Sequence, residues 1–343
     1  MRHCACLLLC AVAGVAPAAE PVARRTFDVA ALVVPIPDFA MPPLGKVTAP
    51  PPVVAASRAA RSADLLRALD AVAPDAAGWA TFGDTGQMLT VAHSPAVIEQ
   101  VAARLAELTA KAERCVSVEC RVLTLPAGAA DGCGLPAADQ PAVLTADQLA
   151  RVLAAAQANR RLTILQSPKL TVFDGHRAGV WVGDEQSFVT AVEATRTGGS
   201  EPVMIPKSDT YRTGTAFEVR PTVAADRRAI ALEVGFQQAE IDGVVPLFPV
   251  TQFVTLPGEG KPVPFTQFIQ QPKLTRREVR QTAAVPDGQT LVLHAGRRTA
   301  YVDAGAGPLA DVPYLNRLVR SKMPVSEEVV VLLTARVVAA DAR

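Results

Sequence analysis

Residues 214–236 read GTAFEVRPTVAADRRAIALEVGF, and their pattern sets the class of the larger domain. Two runs rich in β-branched and apolar residues, Thr215 to Val219 and Ala229 to Phe236, flank the turn signal Asp226-Arg227-Arg228. Short runs of this kind bounded by turn residues are strands. The pattern continues on both sides. Leu162 to Leu165, Lys169 to Phe173 and Ala178 to Val182 precede it, and Thr290 to His294 and Glu328 to Val338 follow it. Asp174-Gly175 and Pro286-Asp287-Gly288 supply further turns. No amphipathic helical pattern recurs after Arg160, so residues 161–340 read as a β domain. Ahead of it, residues 126–160 read as a Gly/Ala/Pro hinge and a connecting helix, which Thr145 and Gln148 open as a capping box.

Residues 58–125 have a different texture. Leu65, Leu66, Leu69 and Val72 recur at helical spacing until Pro74 stops them. Met88 to Ala92 is a short strand, and Ser94-Pro95 opens a helix striped by Val97, Val101, Leu105 and Leu108. Cys115 to Leu125 returns as a strand. Together these predict a small α+β module, so the whole chain is α+β. Residues 19–57 contribute an alternating run, Thr26 to Val34, and a proline-rich linker. Seven prolines fall between Pro35 and Pro52, with only Asp38 and Lys46 charged, a composition that excludes a helix or a central strand.

Residues 1–18 read as an address. Met1-Arg2-His3 is a positive start, Cys4 to Val15 is apolar, and Ala16-Pro17-Ala18 is a small-residue cleavage site, as in a secretory signal peptide. The mature chain is expected to be exported, with Cys115, Cys120 and Cys133 remaining. Cys115 and Cys120 lie five apart on one strand and point to opposite faces, so they cannot pair with each other. Cys133 is either a free loop thiol or bonded to one of them.

The chain has 343 residues, 50% of them hydrophobic, enough for a sizeable core and two domains. Lys plus Arg number 34 against 33 Asp plus Glu, and no basic cluster occurs. Nucleic-acid binding is therefore excluded as a reading, since it needs a basic face. Aromatics at 5% are too few for base stacking. No G-x-S-x-G or H-E-x-x-H motif occurs, and His93, His176 and His294 each lack a second ligand at i+2 to i+4. Glu327-Glu328 is a carboxylate pair whose members face opposite ways on a strand. The sequence predicts no enzyme, no metal and no cofactor.

Several segments resemble the secretin family, the outer-membrane ring proteins of type II and type III secretion and type IV pilus systems. Ser167-Pro168-Lys169-Leu170-Thr171, Asp174-Gly175 and Trp181-Val182-Gly183 are similar to its opening strand, turn and V-G signature. Gly214-Thr215 with Phe217, Val219, Pro221 and Asp226 resembles its G-T-x-L-x-V-x-P-x-V-x-x-D stretch. Val285 to Leu293 resembles its D-G-x-T-V-V-L segment, and Pro308 to Leu318 its V-P-x-L-G-D-I-P hallmark, with Ala310 and Asn316 where the hallmark has glycines. Glu327 to Thr334 resembles its closing strand. On this resemblance Pro168, Gly175, Gly183, Gly214, Pro221, Asp287, Gly288, Pro308, Asp311 and Pro313 are signature positions with structural roles.

The resemblance implies a non-enzymatic subunit whose β domain completes a shared multimeric β-barrel. It also implies a homo-oligomeric ring in the outer membrane with its N-terminal module in the periplasm. Exported protein cargo, inner-membrane secretion components and outer-membrane lipid are the implied partners. Two excursions, from about Gln186 to Val219 and from Ala229 to Ala284, are the segments that would line the lumen, gate it or face lipid. The first carries charge at its tip, while Val244 to Phe253 in the second is apolar. The alternative reading is a soluble periplasmic scaffold or binding protein that keeps the fold without a pore.

Overall fold

A computed structural model of the chain describes residues 22–48, 57–136, 142–158, 163–195, 203–255, 261–305 and 320–338. In chain order the elements are β1 (Ala23–Asp28), α1 (Ala30–Val33), β2 (Gly45–Lys46), α2 (Arg58–Asp70), α3 (Ala76–Trp79), β3 (Ala80–Phe82), β4 (Met88–His93), α4 (Pro95–Ala112), β5 (Cys115–Pro126), β6 (Ala142–Leu144) and α5 (Ala146–Ala158). There follow β7 (Thr163–Gln166), β8 (Lys169–Phe173), β9 (Ala178–Val182), β10 (Glu185–Thr195), β11 (Val203–Arg212), β12 (Gly214–Val223), β13 (Ala229–Ile241), β14 (Leu247–Thr255), β15 (Pro262–Gln270), β16 (Leu274–Pro286), β17 (Thr290–Gly305) and β18 (Arg320–Val338). Residues 22–35 with 57–110 form one compact unit, and residues 36–48 with 111–338 form another.

The first unit is a three-stranded antiparallel sheet, β1-β4-β3, covered by helices. Helical spacing decides which side chains meet it: Leu65 and Leu69 from α2, and Ile98, Val101 and Leu105 from α4, are buried against Leu89 and Val91 of β4. The Ser57 hydroxyl starts α2 by accepting the Ala60 amide at 3.1 Å, a cap of about 1 kcal/mol.

The second unit holds two packed sheets. One has the order β16-β13-β12-β9, the other β6-β17-β18-β5-β7, with β8 also on β5. Phe217 and Val219 of β12 and Ile230, Leu232, Val234 and Phe236 of β13 face Val329, Val331 and Leu333 of β18 and Leu291 and Leu293 of β17 across the interior. On the far side of the six-stranded sheet, Val292, Val330 and Leu332 pack against Val152 and Ala156 of α5. The sheet is thus buried on both faces, which is why β18 reads Val-Val-Val-Leu-Leu without alternation. The capping box forms: Thr145 N donates to Gln148 Oε1 at 2.8 Å, and Gln148 N to Thr145 Oγ1 at 3.4 Å.

Two segments differ from the sequence expectation. The strand Cys115–Pro126, expected in the N-terminal module, lies inside the second unit, paired with β18 from Cys115↔Val338 to Glu327↔Pro126. Its apolar positions explain the difference. Val116, Val118, Cys120 and Val122 enter the inter-sheet core, while Leu123 and Leu125 enter the α5 side. A strand buried on both faces needs a large sheet, and a small module offers only one covered face. The second difference is the proline-rich stretch: it does not run free, since residues 38–44 lie across the outer face of the four-stranded sheet and Gly45–Lys46 pair with β11.

Candidate functional site

The strands of the four-stranded sheet run on beyond it as hairpins. β9 and β12 continue into β10 and β11, which pair from Glu185↔Arg212 to Thr195↔Val203. β13 and β16 lead into β14 and β15, paired from Leu247↔Gln270 to Thr255↔Pro262. β17 and β18 likewise extend past the core, from Arg297↔Glu328 to Gly305↔Arg320.

The two hairpins carry different chemistry. β10 and β11 hold Glu185, Glu193, Lys207, Asp209 and Arg212, joined as the pairs Arg212–Glu185 and Lys207–Glu193 at 2.5 and 2.7 Å. β14 and β15 hold no charged residue in nine residues each. Opposed residues of an antiparallel pair share a face. One face of this hairpin therefore presents Leu247, Pro249, Phe253, Pro264 and Phe268, and the other Phe248, Val250, Val263, Phe265 and Ile269. Phe253 is 72% exposed and Phe268 58%. Between them the Thr251 and Thr266 hydroxyls meet at 2.9 Å. Among the described residues, β14 and β15 form a backbone ladder only with each other, and β15 is bridged to β10 by the Val189 amide, which donates to Gln270 Oε1 at 3.0 Å.

The signature positions fall into two groups. At the end of the sandwich away from the hairpins, Gly175 (φ +81°) turns the chain and its amide donates to the Pro221 carbonyl at 2.7 Å. Beside it, Asp174 Oδ1 accepts the Val223 amide at 2.9 Å. Pro221 lies beyond the last β9 partner of β12, Val219↔Ala178, on an edge that needs no N–H donor there. At the same end Gly288 (φ +78°) donates to the Ala335 carbonyl, and Asp287 Oδ1 accepts the Val337 amide at 2.9 Å. Pro168 offers its carbonyl to the Cys120 amide at 2.9 Å.

Gly183 and Gly214 sit together at the opposite end, where the β10–β11 hairpin leaves the sheet. A Cβ on Gly183 would lie 1.9 Å from the Thr213 carbonyl oxygen, and one on Gly214 2.3 Å from that of Val182 and 2.6 Å from Gly183 Cα. Two backbones touch here, and only glycine fits. Pro308, Asp311 and Pro313, with the rest of the hallmark, lie outside the described residues, as does the segment 1–18.

Sequence reasoning missed the strap. Asp38 Oδ1 accepts the Arg177 amide and Oδ2 the Arg220 guanidinium, each at 2.9 Å. Met41 N donates to Glu218 Oε2 at 3.0 Å, and Leu44 N to Gln237 Oε1 at 3.3 Å. Met41 and Leu44 are buried with Ala216 and Ala239. Burial raises the Asp38 carboxyl pKa, but the Arg177 amide and then Arg220 outweigh it and hold the group below its ordinary range. The only local signal was a pair of large apolar residues inside a proline run.

The remaining candidates take structural positions. Glu327 and Glu328 pair separately with Arg298 and Arg297, at 2.8 and 3.2 Å. His93 accepts the Ser94 amide at 2.8 Å, and His294 lies on β17 opposite Val330. Cys115, Cys120 and Cys133 are free thiols, and burial pushes that of Cys120 up to about 12. Among the described residues no helix is long and apolar enough to cross a membrane.

The model of one protein family, described as Secretin, bacterial type II and III secretion system protein, matches residues 155–339. No curated protein matches the sequence. Solved structures resemble it distantly. Aeromonas hydrophila ExeD is 14% identical, with 92% of this chain and 61% of that one covered and a TM-score of 0.40. The Salmonella type III secretion injectisome secretin InvG is 11% identical, over 93% and 88%, with a TM-score of 0.41. The V. cholerae type IV competence pilus secretin PilQ is 13% identical, over 76% and 69%, with a TM-score of 0.33. The chain spans about three fifths of the length of the first of these.

Proposed function

This chain belongs to the secretin family, and from that premise we propose that it is a non-enzymatic subunit of an outer-membrane protein-export channel of the type II, type III or type IV pilus kind. The observation that carries the reading beyond the family is the β14–β15 hairpin. It has no charge, is apolar on both faces and has no strand partner outside itself among the described residues. A monomer in water leaves such a surface uncovered at a cost of roughly 25 cal/mol per Å², so it calls for neighbours, lipid or both. Strands of about 9–11 residues suit a tilted barrel crossing, and heterologous contacts between copies close into a ring.

In this reading residues 1–18 direct export, residues 57–110 serve in the periplasm, and residues 161–340, joined by the strand Cys115–Pro126, build the shared barrel. Protein cargo passes through a water-filled lumen, and inner-membrane components meet the N-terminal part. The signature positions act structurally: Gly183 and Gly214 let the hairpin leave the sheet, and the turns at Gly175 and Gly288 tie strand ends together. Pro308, Asp311 and Pro313 take the structural role that the family signature implies. A second reading, a periplasmic scaffold without a pore, draws on the charge of β10 and β11, which is unsuited to lipid.

Negative-stain electron microscopy of protein extracted from native membranes in mild detergent tests the proposal. Rings with a central lumen are the expected result. Monomers or small oligomers recovered in the periplasmic fraction would overturn the channel and leave the scaffold.

A further inference from the structure

The edge of β11 that continues the β13 side of β12 poses a separate question. The β12–β13 ladder ends at Gly214↔Ala239, so beyond that point this edge needs another partner or stays open. The strap supplies one at the base of the hairpin. Gly45 and Lys46 pair with Arg212 and Tyr211, Val47 N donates to the Thr210 carbonyl at 2.8 Å, and Lys46 Nζ reaches Asp209 Oδ2 at 2.7 Å.

The alternation of an antiparallel ladder fixes which residues face outward. Thr210 bonds to the strap, so Thr210 and Arg212 face it, and the next outward positions are Ser208, Pro206 and Met204. Pro206 has no N–H and Lys207 beside it is charged, two features that blunt an edge against pairing. The tip of the edge is thus blunted permanently by its own sequence, whereas its base is blunted only by a non-covalent strand of two residues.

The strap itself has two parts. Asp38, Met41 and Leu44 are held by the sheet face through the bonds described above. Gly45 (φ +106°) follows them directly, and past it Lys46 is half exposed. A glycine at that φ lets the chain turn from face to edge, and also lets it turn back.

We infer that residues 45–47 are a removable edge cap. They occupy the hydrogen-bonding groups of Thr210 and Arg212 in the isolated subunit and leave when that edge pairs laterally with a strand of a neighbouring copy, while residues 38–44 stay anchored. The inference rests on the ring-forming reading above. It adds a built-in block against premature edge-to-edge pairing, located in a segment outside the residues matched by the family model.

A disulfide lock tests it. Lys46 and Tyr211 are a non-hydrogen-bonded pair, because Val47 and Thr210 are the bonded one, and such pairs bring Cα atoms to about 4.5 Å, within disulfide range. Lys46→Cys with Tyr211→Cys, in a full-length chain carrying Cys115→Ser and Cys133→Ser, is oxidised and allowed to assemble with and without dithiothreitol. The reduced protein should form rings as the parent does, and the oxidised one about ten-fold fewer or more slowly. Gly45→Ala, strained at its φ, should speed assembly. Equal ring yields from oxidised and reduced protein would overturn the cap and leave the ring reading standing. No rings from the unmodified parent would remove the ring reading and the cap together.

Hydrogen exchange on the wild-type chain gives a second, mutation-free reading. The Val47 amide should be protected in the subunit and exposed in the ring, with Met41 and Leu44 protected in both. Unchanged protection of Val47 on assembly would overturn the proposal.

Discussion

Gly214→Ala is the sharpest test of the junction between sheet and hairpin. The φ of +107° at Gly214 lies outside the region that alanine adopts, and holding it there costs about 1–3 kcal/mol. The new Cβ would also stand 2.3 Å from the Val182 carbonyl oxygen and 2.6 Å from Gly183 Cα. Both neighbours are backbone, so no side chain can swing aside, and the strands must separate. That endangers the Thr215↔Val182 pairing and the Thr213 N to Asp184 O bond of 2.9 Å, at about 1 kcal/mol for each bond lost. The sum is about 3–5 kcal/mol. Gly243→Ala is the control. It shares a positive φ, +62°, but its Cβ meets nothing within 4 Å, so only the backbone preference of about 1 kcal/mol remains. Urea unfolding of the full chain followed by Trp181 fluorescence, with Trp79→Phe to silence the first unit, reads the site directly. Trp181 Nε1 donates to the Thr213 carbonyl at 3.0 Å. A Gly214→Ala cost within about 0.5 kcal/mol of the Gly243→Ala cost would refute the crowding argument.

Arginine placed at Phe268 or at Phe265 probes opposite faces of the β14–β15 hairpin. If one face meets lipid, arginine there should block ring assembly by about 2–4 kcal/mol per subunit, measured as the loss of detergent-resistant oligomer, and normal assembly by both variants would sink a lipid-facing role. Leu332→Ala and Leu333→Ala empty opposite sides of β18, so each should cost about 2–5 kcal/mol in urea unfolding. A cost under about 1 kcal/mol for either would mean that side is not close-packed. Asp38→Asn should remove an acid-sensitive part of stability. The Asp38 pKa is held below its ordinary 3.8, so its contribution is complete above that value and is lost as pH falls through the lower folded value. The wild-type advantage should be constant between about pH 5 and pH 7 and shrink below 3.8, and an advantage unchanged down to about pH 2 would refute the assignment.

Local rules carried the sequence far where a segment's structure depends on itself. The apolar run of β18, the turns at Asp174-Gly175 and Asp287-Gly288, and the Thr145–Gln148 capping box all announce their conformation within a few residues. The strap does not, because its partners are remote: Met41 bonds to Glu218 and Asp38 to Arg220, 177 and 182 residues away. Its prolines state only that it cannot be helix. Cys115–Pro126 misled for a related reason. As a strand it was plain, but which sheet receives it depends on how many of its faces are covered, and that is set by β18 and α5. The glycines of the resemblance were legible as positions. That Gly183 and Gly214 are one contact, thirty-one residues apart in sequence, required the fold.

The charge distribution argues that the two hairpins cannot have the same surroundings. In β10 and β11 every charged residue has an opposite partner nearby, Glu185 with Arg212, Glu193 with Lys207 and Asp209 with Lys46, an arrangement that water tolerates and that hydrocarbon does not. In β14 and β15 the polar residues are threonines and glutamines, neutral groups that can bond to one another or to a neighbouring strand. A subunit that kept both hairpins in water would have no use for an uncharged one with phenylalanines on both faces, since that surface favours aggregation. One that buried both in lipid would have to remove the five charges of the first. The sequence does neither, and the proposed barrel, with a wet side and a dry side, would accommodate an aqueous hairpin and an apolar one together.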